Sequence, residues 1–308
     1  MKKKLLLAPA LVLLLLARCA REVTIELPEQ ATRVVAVGNF TEGGKFRVSL
    51  SFSQPIDGTE PVKFPEKAEV SVAANGQFYD RLFKEVGSDG EVFWEGNDLA
   101  KAETPYSLRV TVPGYPALEA NTEIPAHTHL QRIPLSASSF QEQILSDGRH
   151  ALIVPLELRL ASAIPAEPYF AFNLTHETEV FEIVEGEPIP DYSYETATFF
   201  LTDGPTLSLL HNISEPVVLV NEKYWTEDRR TLRINAYIPY KPDTEKPTRI
   251  FVEWRTLSEA FYRYHLSVAR QGNNLPLNDP DAVFNNVKGG YGNFSGYSVR
   301  MDTLELPN

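Results

Sequence analysis

From residue 34 onward, apolar and polar side chains alternate with a period of two, the pattern of strands with one face buried. Val34–Phe40 is the first such run and Gly43-Gly44 the turn after it. In Phe46–Phe52 the residues Phe46, Val48, Leu50 and Phe52 share one face. Ala68–Ala74 ends in Asn75-Gly76, a pair that suits the tight turn of a hairpin. Val92–Trp94, Tyr106–Val112 and Ala117–Ile124 complete the set, with Pro113-Gly114 as a further break. Short strands at this spacing predict a β-sandwich module over residues 31–126.

Pro125–Pro134 marks the boundary to a second β-rich module, residues 127–308. Its predicted strands are Ala151–Leu160, Tyr169–Leu174, Thr196–Leu201, Val217–Val220, Leu232–Ile238 and Arg249–Thr256. Glu185–Tyr194 and Pro239–Pro247 read as proline-rich loops, because proline removes a ladder donor. A single helix is predicted over about 258–271, with Ser258 as N-cap and Gly272 as C-cap. Leu257 and Tyr262 are placed to staple its start, and Phe261, Tyr264, His265 and Val268 to form its buried face. The expected fold class is therefore mainly β: two β-sandwich-like modules with one late α-helix. The proline count supports this, since 23 prolines exceed the roughly 15 that average usage predicts.

The N-terminus has a different character. Lys2, Lys3 and Lys4 precede thirteen uncharged residues, Leu5–Ala17. A membrane-spanning helix needs about 20 apolar residues, so this length fits the apolar core of a secretory signal instead. The chain's single cysteine follows at once, in Leu16-Ala17-Arg18-Cys19. Leu three residues before an obligatory Cys is the arrangement of a bacterial lipoprotein signal, although Arg18 stands where a small residue is usual. On this reading residues 1–18 are removed, Cys19 carries the lipid (diacylglycerol plus a palmitate-type acyl chain), and residues 19–30 form a tether. Loss of four positive charges takes the net charge from −12 to −16. That sign disfavours nucleic acid, and one cysteine excludes both a disulfide framework and a cysteine zinc module.

Sites of chemistry are sparse. His127-x-His129 places two imidazoles on one strand face, a possible metal pair, but lacks a third ligand. Gly290-x-Gly292-x-x-x-Gly296 superficially resembles a phosphate-cradling loop, yet no helix follows it. A hairpin or bulged loop, with Tyr291, Phe294 and Tyr297 packed on the core, accounts for it better. Glu177 with Glu179, or Asp203, supplies paired acids without evidence of a cleft. Tyr224-Trp225, flanked by Asn221, Glu222, Glu227 and Asp228, is a candidate ligand contact, a sugar-stacking platform, with turn residues packed between two strands as the other reading. No catalytic, metal or cofactor residues are assigned.

Cys19 with Glu22–Pro28, the helix sequence Leu257–Tyr264, Asn278-Asp279-Pro280 and the stretch Asn285–Tyr297 together carry a resemblance. The chain resembles a Bacteroidota outer-membrane lipoprotein family known only as a domain of unknown function. Its first half is also similar to the prealbumin-like, carboxypeptidase-regulatory-type sandwich. The resemblance implies a non-catalytic, lipid-anchored protein of the outer membrane that partners a TonB-dependent receptor of the starch-utilisation type. A structural or adhesive envelope protein is the alternative, and a secreted hydrolase ranks below both. The ligand is not specified by these residues.

Overall fold

The computed structural model describes residues 31–55, 61–131, 136–161, 169–184, 187–202, 210–213, 216–226, 230–271 and 282–306. The signal, Cys19 and the tether fall outside these residues, as does the predicted helix cap Gly272. The described chain is mainly β, in two sheets.

The first core is built by β1 (Val34–Thr41), β2 (Lys45–Phe52), β3 (Glu69–Ala74), β4 (Gln77–Val86), β5 (Val92–Leu99), β6 (Pro105–Thr111) and β7 (Leu118–Glu123). Alternation does what it predicts: Val34, Ala36 and Phe40 of β1 meet Phe46, Val48 and Leu50 of β2 and Tyr106, Leu108 and Val110 of β6. The strand order is β1-β2-β5-β4-β3-β6-β7. Gln77–Val86 was not legible as a strand. Phe78, Phe83 and Val86 are all exposed, so its apolar residues do not mark a single buried face.

The second core lies between two sheets. One contains β8 (Gln141–Ile144), β9 (His150–Arg159), β12 (Thr198–Leu201) and β15 (Thr231–Tyr240), in the order β12-β15-β9-β8. Facing it are β10 (Phe170–Val184) and β16 (Glu245–Leu257), with β13 (Leu210–Asn212) and β14 (Val218–Val220) at one side. Leu156, Leu158, Leu232, Ile234 and Ile238 pack against Phe170, Phe172, Ile250, Val252 and Trp254.

Two expected loops are corrected. The proline-rich stretch at Glu185–Tyr194 is largely strand: β11 (Glu187–Thr196) pairs with β10 from Thr175↔Thr196 to Val184↔Glu187. Proline is tolerated there because, among the described residues, β11 has a neighbour on one side only. At Pro239–Pro247 the strands run to Tyr240 and resume at Glu245, which leaves a turn of residues 241–244.

The largest correction concerns the C-terminus. The glycine-aromatic stretch is neither hairpin nor bulged loop but part of β17 (Tyr291–Glu305). Its first half pairs in parallel with β1, from Val35↔Tyr291 to Thr41↔Tyr297. Its second half pairs antiparallel with β16, from Leu257↔Tyr297 to Arg249↔Glu305. One strand thus continues from the first module into the second, and Phe294 and Val287 belong to the first core. Glycine is what lets it lie so close. A Cβ on Gly292, where φ is +127°, would sit 1.9 Å from the Ala36 carbonyl oxygen. On Gly289 (φ +83°) it would sit 2.2 Å from the Ala117 carbonyl oxygen, just before β7.

The helix α1 (Glu259–Gln271) is the only α-helix among the described residues. The Phe261 N–H donates to Ser258 Oγ at 3.3 Å, satisfying one of the free donors of the first turn. Its buried residues are Phe261, Tyr262 and His265, not the Phe261/Tyr264/His265/Val268 face expected. Tyr262 stacks on Tyr169 with centroids 4.8 Å apart, which rotates the helix and leaves Val268 37% exposed.

Candidate functional site

Under α1, β1 and β17 present polar side chains toward the helix. Asn293 Nδ2 donates to Asn39 Oδ1 (2.9 Å) and to Ser295 Oγ (2.7 Å), and Ser295 Oγ donates to Asn39 Oδ1 (2.8 Å). Asn39 Nδ2 meets His265 Nε2 at 3.0 Å. Asn293 and Ser295 are fully buried, and Asn293 Oδ1 has no partner among the described residues. This network fixes the helix on the sheet, with Asn293 and Ser295 fully buried and Asn39 half-buried.

Where the modules meet, a cleft of about 590 Å³ is lined by the end of β7 and the link after it, Tyr169 and the start of α1. His127 lies here, with Nε2 2.7 Å from Glu42 Oε2. His129 is exposed, and both histidines sit in an irregular link rather than on a strand. Among the described residues no group of three or more His, Cys, Asp or Glu converges as a metal site.

Tyr224 and Trp225 are not a surface platform. They are 3% and 5% exposed, members of the second core. Trp225 stands edge-on to Phe170 (5.5 Å) and Trp254 (6.0 Å), and Tyr224 Oη donates to the Thr231 carbonyl at 2.6 Å. An aromatic pair beside acids looks the same in sequence whether it stacks a ligand or fills a core.

Open aromatic surface lies instead on the β10–β11 hairpin. Tyr192 is 50% exposed, Tyr194 60% and Ile189 50%. Tyr194 packs on Phe251, centroids 6.1 Å apart, and its hydroxyl donates to Glu177 Oε2 at 2.9 Å. Thr248 Oγ1 donates to Glu177 Oε1 at 2.7 Å, and Arg249 Nη1 lies 3.5 Å from Oε2. Burial by itself would raise the Glu177 carboxyl. The hydrogen bonds from Thr248 and Tyr194 and the Arg249 charge outweigh it and hold the group below the usual carboxylate range. The hydrogen bond to Glu177 pushes the Tyr194 phenol up. Arg249 Nε also bridges both Glu305 oxygens at 3.0 Å. Glu177 is therefore occupied as an ion-pair anchor, while Glu179 lies between Tyr192 of β11 and Lys246 of β16 in the ladder. Asp203 lies outside the described residues. The sequence does not announce this surface, because the prolines of Glu185–Tyr194 read as a loop.

A second cluster stands at the edge of the smaller sheet. Glu142 accepts from Tyr240 Oη and pairs with His150 Nδ1 at 2.7 Å. Burial, then the bond to Glu142, pushes the Tyr240 phenol up to about 12.

None of the curated proteins matches this chain. Among solved structures, a DUF4785 family protein from Legionella pneumophila is similar at 12% identity and a TM-score of 0.19, over 71% of this chain and 51% of that one. The chain thus spans about half the length of that protein. The family described as domain of unknown function DUF4249 matches residues 20–303, and the chain belongs to that family.

Proposed function

We propose that this protein is a non-catalytic, lipid-anchored binding protein of the outer membrane, working beside a TonB-dependent receptor in a Bacteroidota envelope. The observation that carries the reading is the position of the single cysteine. Cys19 follows a basic start, an uncharged run that ends at Ala17, and Arg18, and β1 begins fifteen residues later at Val34. Acylation there supplies membrane affinity at about 0.8 kcal/mol per buried CH₂, so two or three chains hold stably. An acidic body gains nothing from anionic headgroups, and the covalent anchor confines it beside its receptor, raising their effective concentration. The first module then serves as a scaffold of the prealbumin type.

Mass spectrometry of the N-terminal peptide from isolated outer membranes tests the anchor. A diacylglycerol-bearing Cys19 is expected, and Cys19→Ser should move the protein to the aqueous phase of a detergent separation. An unmodified cysteine sinks the reading. Affinity purification of the tagged protein from solubilised outer membrane tests the partnership, with a TonB-dependent receptor expected in stoichiometric yield.

A further inference from the structure

Two backbone donors at the start of α1 are left over. The Ser258 N–H goes to the Gly296 carbonyl at 3.1 Å, the Phe261 N–H to Ser258 Oγ, and the Tyr262 N–H to the Ser258 carbonyl. A helix start carries N–H groups without intrahelical partners. Here those of Glu259 and Ala260 have no partner among the described residues. Both residues line the cleft of about 590 Å³ where the modules meet, a volume within the roughly 300–1,000 Å³ of small-ligand pockets.

A buried side chain opens on the same space. Thr128 is 7% exposed, and its N–H is pinned to Thr256 Oγ1 at 3.0 Å. Its own hydroxyl has no partner among the described residues. That hydroxyl still reaches solvent, and Thr128 lines the cleft, so the cleft is where it opens. A polar group buried without a partner costs free energy that an incoming acceptor recovers. The donors of Glu259, Ala260 and Thr128, together with the partial positive charge of a helix start, suit a carboxylate.

The rest of the lining carries the opposite sign. Glu123 and Glu259 line the cleft, and no Lys or Arg is among the lining residues. Glu259 Oε1 is held by Arg263 Nη2 at 2.6 Å, one turn along the helix, and His127 Nε2 by Glu42 Oε2 at 2.7 Å. Glu123 is exposed and makes no ion pair among the described residues. A lone anion meets the helix start but also the Glu123 carboxylate. A lone cation meets Glu123 but also the positive helix start. A molecule that carries both charges answers both groups. The Tyr169 ring in the lining is 8% exposed and stacked on Tyr262, so it offers no open face to a sugar ring. Pro125, Ala126 and Leu257 supply apolar surface for a short side chain.

We propose that this cleft binds a small zwitterion, a free amino acid or short peptide, with its carboxylate at the Glu259 and Ala260 N–H groups and the Thr128 hydroxyl and its ammonium group at Glu123. The proposal deepens the binding role put forward above by naming the ligand class, and rests on that reading only for delivery of the ligand to a receptor. The cleft and its charge preference stand on the module junction alone.

The test uses the full mature chain in detergent and isothermal titration calorimetry with alanyl-alanine, for which saturable binding is expected. Blocking either charge of the probe, as N-acetyl-alanyl-alanine or as alanyl-alanine amide, should weaken binding about tenfold or more. Thr128→Val should weaken it about fivefold, and Thr128→Ser, which keeps the hydroxyl, by less than about twofold. Proline suits the first helical position and removes its N–H. Glu259→Pro should therefore bind about fivefold more weakly than Glu259→Ala, which keeps the N–H. Glu123→Gln should weaken alanyl-alanine about fivefold but N-acetyl-alanyl-alanine by less than about twofold. Thermal melts of each variant confirm that the fold is retained; if Thr128→Val melts early, the two Glu259 variants decide in its place. Absence of binding up to about 10 mM probe overturns the proposal. So do equal affinity for the free and blocked probes, tighter binding of glucose than of alanyl-alanine, and equal affinity of Glu259→Pro and Glu259→Ala. The mass of the Cys19 peptide judges the anchor separately, so either reading can fail while the other stands.

Discussion

The Phe294 ring on the last strand packs against Phe40 on the first, with centroids 4.8 Å apart. Both are buried, and Phe40 also meets Phe46 at 4.8 Å. The first core is thus closed by a residue that arrives near the end of the chain. Phe294→Ala should cost about 3–5 kcal/mol by lost burial and an unfilled cavity. A chain ending before Tyr291 loses the strand between β1 and β16 and should lack cooperative unfolding of the first module in a chemical denaturation curve. A fragment of residues 31–126 as stable as the intact protein would contradict this.

Gly292 tests the same seam from the backbone side. Alanine there meets both an unfavourable φ of +127° and the Ala36 carbonyl oxygen at 1.9 Å. The strands must separate, so Gly292→Ala should abolish folded, soluble protein. Gly114, at φ +85° with nothing within 4 Å of a Cβ, is the control. Gly114→Ala should cost only the left-handed penalty of about 1–2 kcal/mol, visible as a modest drop in melting temperature.

Asn293 is fully buried and donates to two neighbours, Asn39 and Ser295. Asn293→Ala should cost about 1–3 kcal/mol, because two buried or half-buried acceptors, Asn39 Oδ1 and Ser295 Oγ, lose the donor they share. Asn293→Asp should be worse at neutral pH, since it buries a carboxylate beside the Asn39 oxygen. Burial raises the folded pKa of that new acid above its unfolded value. Stability should then be recovered as the solution is acidified and lost as pH rises, which denaturation at two pH values checks.

The parts of this fold that alternate cleanly were legible. β1, β2, β6, β9 and β15 each bury one face, so period two is written into their residues. The helix start was legible too, because Ser258 can cap only a helix that begins after it. Long-range facts were not. Nothing in Gly290–Gly296 announces a strand in mid-sheet, because its glycines serve close approach to β1 and β7 rather than a turn. The β10–β11 ribbon was hidden by Pro188 and Pro190, which are permitted only because β11 is an edge. Tyr224 and Trp225 drew attention for their acidic neighbours, and whether a ring faces solvent or Trp254 is decided by partners distant in sequence.

Glu177 makes a prediction in acid. Its folded pKa is depressed, so its contribution is present above the unfolded value of about 4.3 and is lost as pH falls through the folded value. Glu177→Gln should lower stability at neutral pH and flatten the loss on acidification. The change should also release the Tyr194 phenol, whose raised pKa comes first from the bond to Glu177. A variant with an unchanged acid profile would show that Arg249 and Glu305 hold the ribbon base without it.

Tyr240 makes the opposite prediction in alkali. Its phenol, pushed up to about 12, keeps its proton in the fold at pH values where an unfolded tyrosine, near 10, has lost it. The sign follows from the raised folded value: the stabilisation is complete below about pH 10 and disappears as pH rises toward 12. The bond from Tyr240 to Glu142 ties β15 to β8 across β9, so ionising the phenol sets two anions against each other at the sheet edge. Tyr240→Phe should remove one late-titrating phenol from an ultraviolet titration and erase the alkaline step in the denaturation midpoint. Glu142→Gln should lower the Tyr240 pKa only in part, because burial is the larger cause and survives the substitution. If Glu142→Gln instead returned the phenol fully to the ordinary range, the hydrogen bond rather than burial would be what holds its proton.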